Sequence, residues 1–264
     1  MLKPSGIITI ITDFGNDDYF VGALKGVILT LNPAAQVVDI TNNISPGDVM
    51  RAAFTLLNCY AEYPSGTAHY CIADPGVGSS RRPLAIQNNE YYFIGPDNGV
   101  LYPSVQQTRF TAVDISHLAK SGHVNSKTFH GRDIFAPAAA VLSKGQDIFT
   151  LGPAVENIVE LNFPVPRKCD SGLFGLILYV DRFGNLISNF KRDHLSRFKS
   201  LFFTINDLKI DSGYEYYEQA PAAEPFYIDG SAGFIEISVR NARADVTLGA
   251  KAGDEIMLSG INYD

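Results

Sequence analysis

A carboxylate, a run of small flexible residues and a pair of guanidinium groups follow one another in Asp74-Pro75-Gly76-Val77-Gly78-Ser79-Ser80-Arg81-Arg82. The preceding Tyr70-Cys71-Ile72-Ala73 is apolar, so this reactive set begins where a strand should end. In α/β proteins ligands bind in the crevice beyond the carboxyl ends of the strands. Other aspartates share that placement: Asp13 closes Ile7-Ile8-Thr9-Ile10-Ile11-Thr12, Asp39 lies within Val37-Val38-Asp39-Ile40-Thr41, and Asp97 follows Tyr92-Phe93-Ile94-Gly95-Pro96. Repeated carboxylates at strand ends point to a polar ligand pocket. His130, in Thr128-Phe129-His130-Gly131-Arg132-Asp133, stands beside a glycine ahead of a helix, a setting that suits acid–base chemistry. A lone histidine is more often a packing residue, and Arg132 and Asp133 can simply pair with each other. His69, His117, His123 and His194 have no comparable setting and read as packing or solvent-facing residues.

Other polar clusters carry two readings each. Asp13 in Thr12-Asp13-Phe14-Gly15 can cap a turn that uses the freedom of glycine, or its two oxygens can accept hydrogen bonds from both hydroxyls of a ribose. Asp17 and Asp18 precede a helical pattern and read as N-terminal caps and dipole partners. Tyr179-Val180-Asp181-Arg182-Phe183-Gly184-Asn185-Leu186-Ile187-Ser188-Asn189 fits a hairpin turn. It also fits a purine site, with Asn185 offering donor and acceptor to the base edge, Phe183 stacking on its face and Asp181 taking an ammonium group. Gly230-Ser231-Ala232-Gly233 can hold a carboxylate or merely begin a strand.

These side chains need a scaffold, and 264 residues with 46% hydrophobic content supply a sizeable core, expected as two domains. After the strand Ile7 to Thr12, Val21, Leu24, Val27, Ile28 and Leu31 recur at helical spacing up to Asn32-Pro33. A strand from Val37 to Ile40 precedes a second helical pattern in Val49, Ala52, Ala53, Leu56, Leu57 and Tyr60. This βαβαβ order predicts an α/β domain with a mainly parallel sheet over residues 1–163. Strands near Leu84–Ile86 and Tyr91–Ile94 flank the turn-forming Asn88-Asn89, and a helix is expected from Phe135 to Leu142. Asn162-Phe163-Pro164-Val165-Pro166-Arg167-Lys168 reads as a stiff linker. Beyond it Leu173–Val180, Leu201–Ile205, Gly233–Val239 and Glu255–Leu258 predict a smaller β-rich domain over residues 171–264.

Composition also excludes. A formal charge of −7 disfavours a nucleic-acid partner, and no apolar run is long enough to cross a membrane. The start, Met1-Leu2-Lys3-Pro4-Ser5-Gly6, lacks the zones of a secretion signal, and Cys59, Cys71 and Cys169 form neither a zinc pattern nor a disulfide framework, so a cytoplasmic protein is expected. Dinucleotide and phosphate loops, the nucleophile elbow and the zinc helix are missing. Composition alone stops at an α/β enzyme with an aspartate-rich pocket, for which a divalent-metal hydrolase is one reading because hard oxygen ligands suit magnesium or manganese.

The ordered set Thr12-Asp13-Phe14-Gly15, Asp39-Ile40-Thr41, Asp74-Pro75-Gly76-Val77-Gly78, Arg81-Arg82, Gly95-Pro96-Asp97-Asn98-Gly99, Thr128-Phe129-His130-Gly131-Arg132-Asp133 and Asp181-Arg182-Phe183-Gly184-Asn185 resembles the S-adenosyl-L-methionine (SAM) hydroxide adenosyltransferases, relatives of the fluorinating and chlorinating enzymes. The resemblance implies an α/β domain followed by a β-barrel-like domain. It implies a homotrimer with SAM held between neighbouring subunits, and attack of water, acting as hydroxide, on the 5′-carbon of SAM to release adenosine and L-methionine. It carries the catalytic set to Asp74, Arg81 and His130, the ribose contact to Asp13, the adenine contacts to Phe183 and Asn185, and the methionine contacts to Asp181, Ser231 and Asp17, with no metal or redox cofactor. In the halogenating relatives a tyrosine and a threonine stand at the positions of Asp74 and Val77, and a serine at that of Gly131; an anionic Asp74 would repel halide. A SAM-dependent halogenase and a SAM- or adenosine-binding sensor without turnover are the other readings. The segment Arg240-Asn241-Ala242-Arg243, and Ala232 where the fluorinating enzyme has an arginine, match the pattern only loosely.

Overall fold

The computed structural model describes residues 2–120 and 126–262, so His123 lies outside the described residues. The chain divides into two compact units, Met1–Asn162 and Phe163–Asp264.

The first unit runs β1 (Ile7–Thr12), α1 (Phe20–Leu31), β2 (Gln36–Thr41), α2 (Val49–Leu57), β3 (Ala68–Ile72), β4 (Pro83–Gln87), β5 (Tyr92–Pro96), α3 (Tyr102–Val105), β6 (Thr111–Asp114), α4 (Ala136–Leu142) and β7 (Ala154–Val155). Its sheet has the order β2-β1-β3-β5-β4-β6-β7, and the expected β1-α1-β2-α2-β3 alternation is present. Strands β2, β1, β3 and β5 are parallel to one another, whereas β4, β6 and β7 join by antiparallel pairing. The apolar run of β1 is buried from Ile8 onward and β3 is buried throughout, because parallel strands are covered on both faces. Helix α1 buries Val21, Leu24 and Ile28, one stripe at helical spacing, and stops at Asn32, whose side chain donates to Ser143 Oγ at 2.9 Å. Asp17 and Asp18 do not cap it: the residue before the helix is Tyr19, no side chain there accepts an end N–H, and the aspartates stand two and one residues ahead of it in an exposed bend. Helix α2 is capped by Asp48, which accepts the Arg51 N–H at 2.9 Å. The predicted turn between β4 and β5 forms because Asn88 Oδ1 accepts the N–H groups of Glu90 and Tyr91.

The second unit runs β8 (Arg167–Cys169), β9 (Gly172–Val180), β10 (Leu186–Ser188), α5 (Arg192–Leu195), β11 (Phe198–Ile205), β12 (Leu208–Ile210), β13 (Pro225–Asp229), β14 (Ile235–Val239), α6 (Ala244–Leu248) and β15 (Glu255–Asn262). The strands follow the path β12-β11-β15-β9-β10-β14-β13, every pair antiparallel. The path nearly closes on itself: the Tyr227 N–H of β13 donates to Ser212 O at 3.0 Å, and the Tyr214 N–H donates to Tyr227 O at 3.1 Å, just beyond β12. Alternating inward residues fill the interior with Leu173, Ile177, Leu186, Phe203, Ile237 and Ile256, the β-barrel-like domain that was expected.

Candidate active site

The register of the parallel sheet brings the first two carboxylates together. Thr12 at the end of β1 pairs with Ile72 at the end of β3, and the Asp13 N–H donates to Ile72 O at 3.3 Å, so Asp13 and Asp74 leave the sheet side by side. The segment after Asp74 then folds back through consecutive turns, Val77 N–H to Asp74 O at 3.3 Å and Ser79 N–H to Gly76 O at 3.0 Å. Gly78 takes φ +81° there, a left-handed conformation that favours glycine. The fold-back returns Arg81 to the carboxylate seven positions earlier: Nε donates to Asp74 Oδ1 at 3.0 Å and a terminal nitrogen donates to Oδ2. Both side chains are more than nine-tenths buried.

His130 comes from the far side of the sequence, at the entrance of a π-helical turn, Gly131–Phe135, that leads into α4. Such turns are rare and concentrate at functional sites. Its Nδ1 lies 2.9 Å from the same terminal nitrogen of Arg81 that holds Asp74, and Phe135 packs its ring 5.4 Å from the Arg81 guanidinium carbon. A guanidinium has no acceptor, so Nδ1 must be the acceptor and the neutral ring carries its proton on Nε2. Burial first, and the charge of Arg81 second, hold the His130 pKa below its ordinary value, which keeps that neutral form in place.

Asp13, Asp74 and His130 share a cavity of about 300 Å³ with the rings of Phe14, Phe20 and Phe129. Asp13 Oδ2 accepts the Gly47 N–H at 2.8 Å; burial raises its pKa, and the Gly47 bond partly offsets that rise. Other motif blocks hold this geometry from behind. Asn98 donates to Ala73 O at 2.8 Å, and Arg82 forks onto Asp97, which also accepts the Val159 N–H at 2.7 Å. Asn42 accepts from Thr12 Oγ1 at 2.9 Å and from the Gly15 N–H at 2.8 Å through its backbone oxygen.

A second polar cluster belongs to the barrel-like unit. Asp181 accepts the N–H groups of Phe183 and Asn185, each at 2.8 Å, and the Asn185 side-chain amide at 2.9 Å. These bonds make it the organiser of the β9–β10 turn. Phe183 projects from that turn 78% exposed, with its ring free to stack, while Asn185 is buried. Gly184, at φ +90°, accommodates the close approach of Arg243 and Asp245, and the turn is pinned to the start of α6 by the Asp245 N–H donating to Gly184 O at 3.0 Å and by Arg243 donating to Arg182 O at 3.1 Å. Ser231 is exposed at the tip of the β13–β14 hairpin, on a surface it shares with Tyr217 and Glu236. Tyr217 donates to Glu236 Oε2 at 2.6 Å, and burial, with the charge of Asp181 as a smaller cause, raises the Glu236 pKa.

Comparison with known proteins fits both units. Family models of the SAM hydroxide adenosyltransferase N-terminal and C-terminal domains match residues 8–152 and 175–257. The chain belongs to the SAM hydroxide adenosyltransferase family. Among relatives of this family, a protein of Salinispora tropica named (R)-S-adenosyl-L-methionine hydrolase is 33% identical, with 98% of this chain and 99% of that protein aligned. One of the same name from Thermus thermophilus is also 33% identical, over 95% of this chain and 98% of its own length. The crystal structure of an uncharacterised conserved protein from Thermotoga maritima superposes with a TM-score of 0.86 at 30% identity, covering 95% of this chain and 99% of the other.

Within this family member, the structure joins Asp74, Arg81, His130 and Asp13 in one place, and groups Asp181, Phe183 and Asn185 in one turn. Asp17 is not brought to the cavity; it is exposed in the bend before α1. Two of the expected strand-end aspartates are scaffolding instead of pocket residues: Asp39 lies inside β2, paired in register with Ile10, and meets Lys25 on the surface at 2.5 Å, and Asp97 is committed to Arg82 and Val159. Arg132 and Asp133 pair with each other, as their neutral reading had it. His69 is a core residue bonded to Thr9 at 2.8 Å among Tyr60, Tyr91 and Phe93, and His117 is exposed. Among the described residues no group of three or more His, Cys, Asp or Glu is disposed to hold a metal ion, and no helix is long and apolar enough to cross a membrane. Sequence reasoning passed over Glu236 and Tyr217; the signal for the former was one acid inside the apolar run Phe234-Ile235-Glu236-Ile237, buried at 8% exposure.

Proposed function

We propose that this chain hydrolyses SAM to adenosine and L-methionine, with Asp74, Arg81 and His130 directing a water molecule at the ribose 5′-carbon. The observation that carries this reading is the buried hydrogen-bonded line Asp74–Arg81–His130 opening on a cavity that also holds Asp13. Bulk water is a poor nucleophile, with a pKa of about 15.7, so a site must orient it and receive its proton. Arg81 fixes both oxygens of Asp74 in one plane, and the unused lone pairs of that carboxylate accept the proton. His130, with Nδ1 engaged by Arg81, presents Nε2–H as a donor to the oxygen of the incoming water. The new bond joins that oxygen to C5′, the C5′–S bond breaks, and its electron pair goes to sulfur. The departing thioether is neutral and needs no acid.

Asp13, steadied by the Gly47 N–H, holds the ribose hydroxyls. Phe183 and Asn185 hold adenine, and Asp181 and Ser231 the methionine end, with Asp181 also fixing the turn that presents the purine contacts. The protein works as a homotrimer, as the resemblance implies, without metal and in the cytoplasm, as the cysteine pattern suggests. Halide is the poorer nucleophile here because a buried carboxylate faces the cavity, and like charges at short range in a poorly solvated site repel strongly.

The test is incubation of the purified protein with SAM in ¹⁸O-labelled water. Adenosine carrying ¹⁸O at the 5′-hydroxyl, formed with methionine and unaffected by chelator, is the expected result. Unlabelled adenosine, or no turnover over hours, refutes the reading; 5′-chloroadenosine as the main product in chloride buffer would establish the halogenase instead. Sedimentation equilibrium of the same sample reads the trimer.

A further inference from the structure

Tyr70 lies on β3 on the same face as Ile72, two residues apart in a strand whose side chains alternate, and that face leads to Asp74. The residue is completely buried, and its phenol oxygen has no hydrogen-bond partner among the described residues. Buried polar atoms are nearly always paired, so an orphan beside a ligand cavity marks a contact that a ligand or reactant makes. The oxygen is close behind the cavity wall at Gly131: a Cβ built on that glycine would stand 2.9 Å from it, and 3.0 and 3.1 Å from the Phe14 ring. Gly131 therefore has no side chain at a point where one would cover the phenol. The next residue back is His130, and the charges of Asp13 and Asp74 both reach the phenol.

We propose that Tyr70 Oη donates a hydrogen bond to the attacking water, past Gly131, as a further catalytic contact of the proposed hydrolysis. This assignment rests on the reading of the site as a SAM hydrolase. The water then has donors from His130 and Tyr70 and gives its proton to Asp74, so one of its lone pairs remains directed at C5′. A phenol suits that task because burial and the neighbouring carboxylates keep it protonated, so it acts as a donor without adding charge to the site. The pairing also accounts for glycine at position 131: either a side chain at 131 or an accessible hydroxyl from Tyr70 fits there.

The experiment compares wild type, Tyr70→Phe, Tyr70→Phe/Gly131→Ser and Tyr70→Phe/Gly131→Ala, measuring kcat and KM for SAM, the Kd of adenosine by calorimetry, and the thermal midpoint. Tyr70→Phe should lower kcat about 10- to 100-fold, the range for one hydrogen bond to a group gaining charge. Adenosine affinity should change less than about twofold, and the midpoint should hold or rise, since an unpaired buried hydroxyl has been removed. The two double variants crowd Phe14 alike, but only serine returns a hydroxyl to the vacated space, so the serine variant should regain several-fold in kcat over the alanine variant. Unchanged kcat in Tyr70→Phe, a lower midpoint that parallels the loss of rate, or equal rates in the two double variants each overturn the assignment while leaving the hydrolase reading intact. A wild type inert toward SAM overturns both.

Discussion

Removing the guanidinium from the Asp74–Arg81 pair should cost stability as well as activity, and the two losses separate in a double-mutant cycle. Both side chains are more than nine-tenths buried and joined by a two-point fork, so Arg81→Met leaves a carboxylate with no countercharge in a poorly solvated site. Breaking a buried pair from one side costs about 3–5 kcal/mol. At about 2–4 °C per kcal/mol for a chain of this size, the thermal midpoint should fall by about 6–20 °C. Asp74→Leu strands the arginine instead, but His130 and the Phe135 ring still engage it, so the loss should be smaller, about 2–3 kcal/mol. The double variant Asp74→Leu/Arg81→Met removes both charges and fills the space with apolar groups, and should sit within about 1 kcal/mol of wild type. If the two single losses were independent, the double would lie about 5–8 kcal/mol below wild type, so the cycle expects a coupling of about 4 kcal/mol or more. Urea melts at pH 7.5 supply the free energies, and adenosine release followed by chromatography supplies the rates. All three variants should turn over at least about 10³-fold more slowly, including the stable double. Additive stability losses would refute the buried-pair reasoning; an active double variant would remove Asp74 and Arg81 from the chemistry.

The pH profile tests His130. Its pKa is held below the ordinary 6.5 by burial and by Arg81, so the neutral, Arg81-accepting form persists as pH falls through 6.5, and the acid limb of kcat should lie below that value. The stability sign agrees: an unfolded chain takes up the proton first, so the contribution of His130 is complete above 6.5 and declines only as pH falls below it. An acid limb at or above pH 7, or one unchanged in His130→Asn, would refute this. Asp13→Asn keeps the shape but loses one ionised acceptor, and should raise the KM for SAM about 10- to 100-fold with little effect on kcat, read by initial rates; an unchanged KM removes the ribose assignment. Asp181→Ala strips three hydrogen bonds from the β9–β10 turn and should weaken adenosine binding in calorimetry and lower the melting free energy by about 2–3 kcal/mol, whereas Asp181→Asn, which still accepts from the backbone, should retain most of the stability.

The architecture was legible where a physical period repeats. The buried runs of β1 and β3 and the spacing of Val21, Leu24 and Ile28 admit few alternatives, because chain covered on both faces must be apolar throughout and one helical face must recur every three to four residues. Short elements escaped: α3 has four residues, and β7 has two, too few for any period to register. The antiparallel half of the first sheet follows from a turn at Asn88, which signals a hairpin without saying where the pair joins the sheet. For the site, residue type identified the candidates, but only three-dimensional partners divided them. Asp13 and Asp39 both follow β-branched runs, yet one stands just past its strand and lines a cavity, and the other lies inside β2 and pairs with a lysine on the surface.

Several motif residues that look chemical are there to hold position. Asp97, Asn98 and Arg82 bind the strand ends and the fold-back that carry Asp74 and Arg81, and Asn42 ties the Asp13 segment to the chain after β2. None of these lines the cavity. The division follows from the geometry that the proposed reaction demands: in-line displacement depends on placing an oxygen, a carbon and a sulfur on one axis, and an error near 1 Å costs about 100-fold in rate. A catalytic carboxylate just past the last residue of a strand has no ladder hydrogen bonds of its own to fix it. Its position is set by the arginine fork in front and by the amide and ion-pair contacts behind. Asn98→Ala should accordingly lower kcat while leaving adenosine affinity near wild type, because its bond to Ala73 O holds the residue before Asp74 and touches neither ribose nor base. A loss confined to affinity would show instead that the Asp74 loop tolerates displacement, and that the reaction axis is set by the substrate contacts alone.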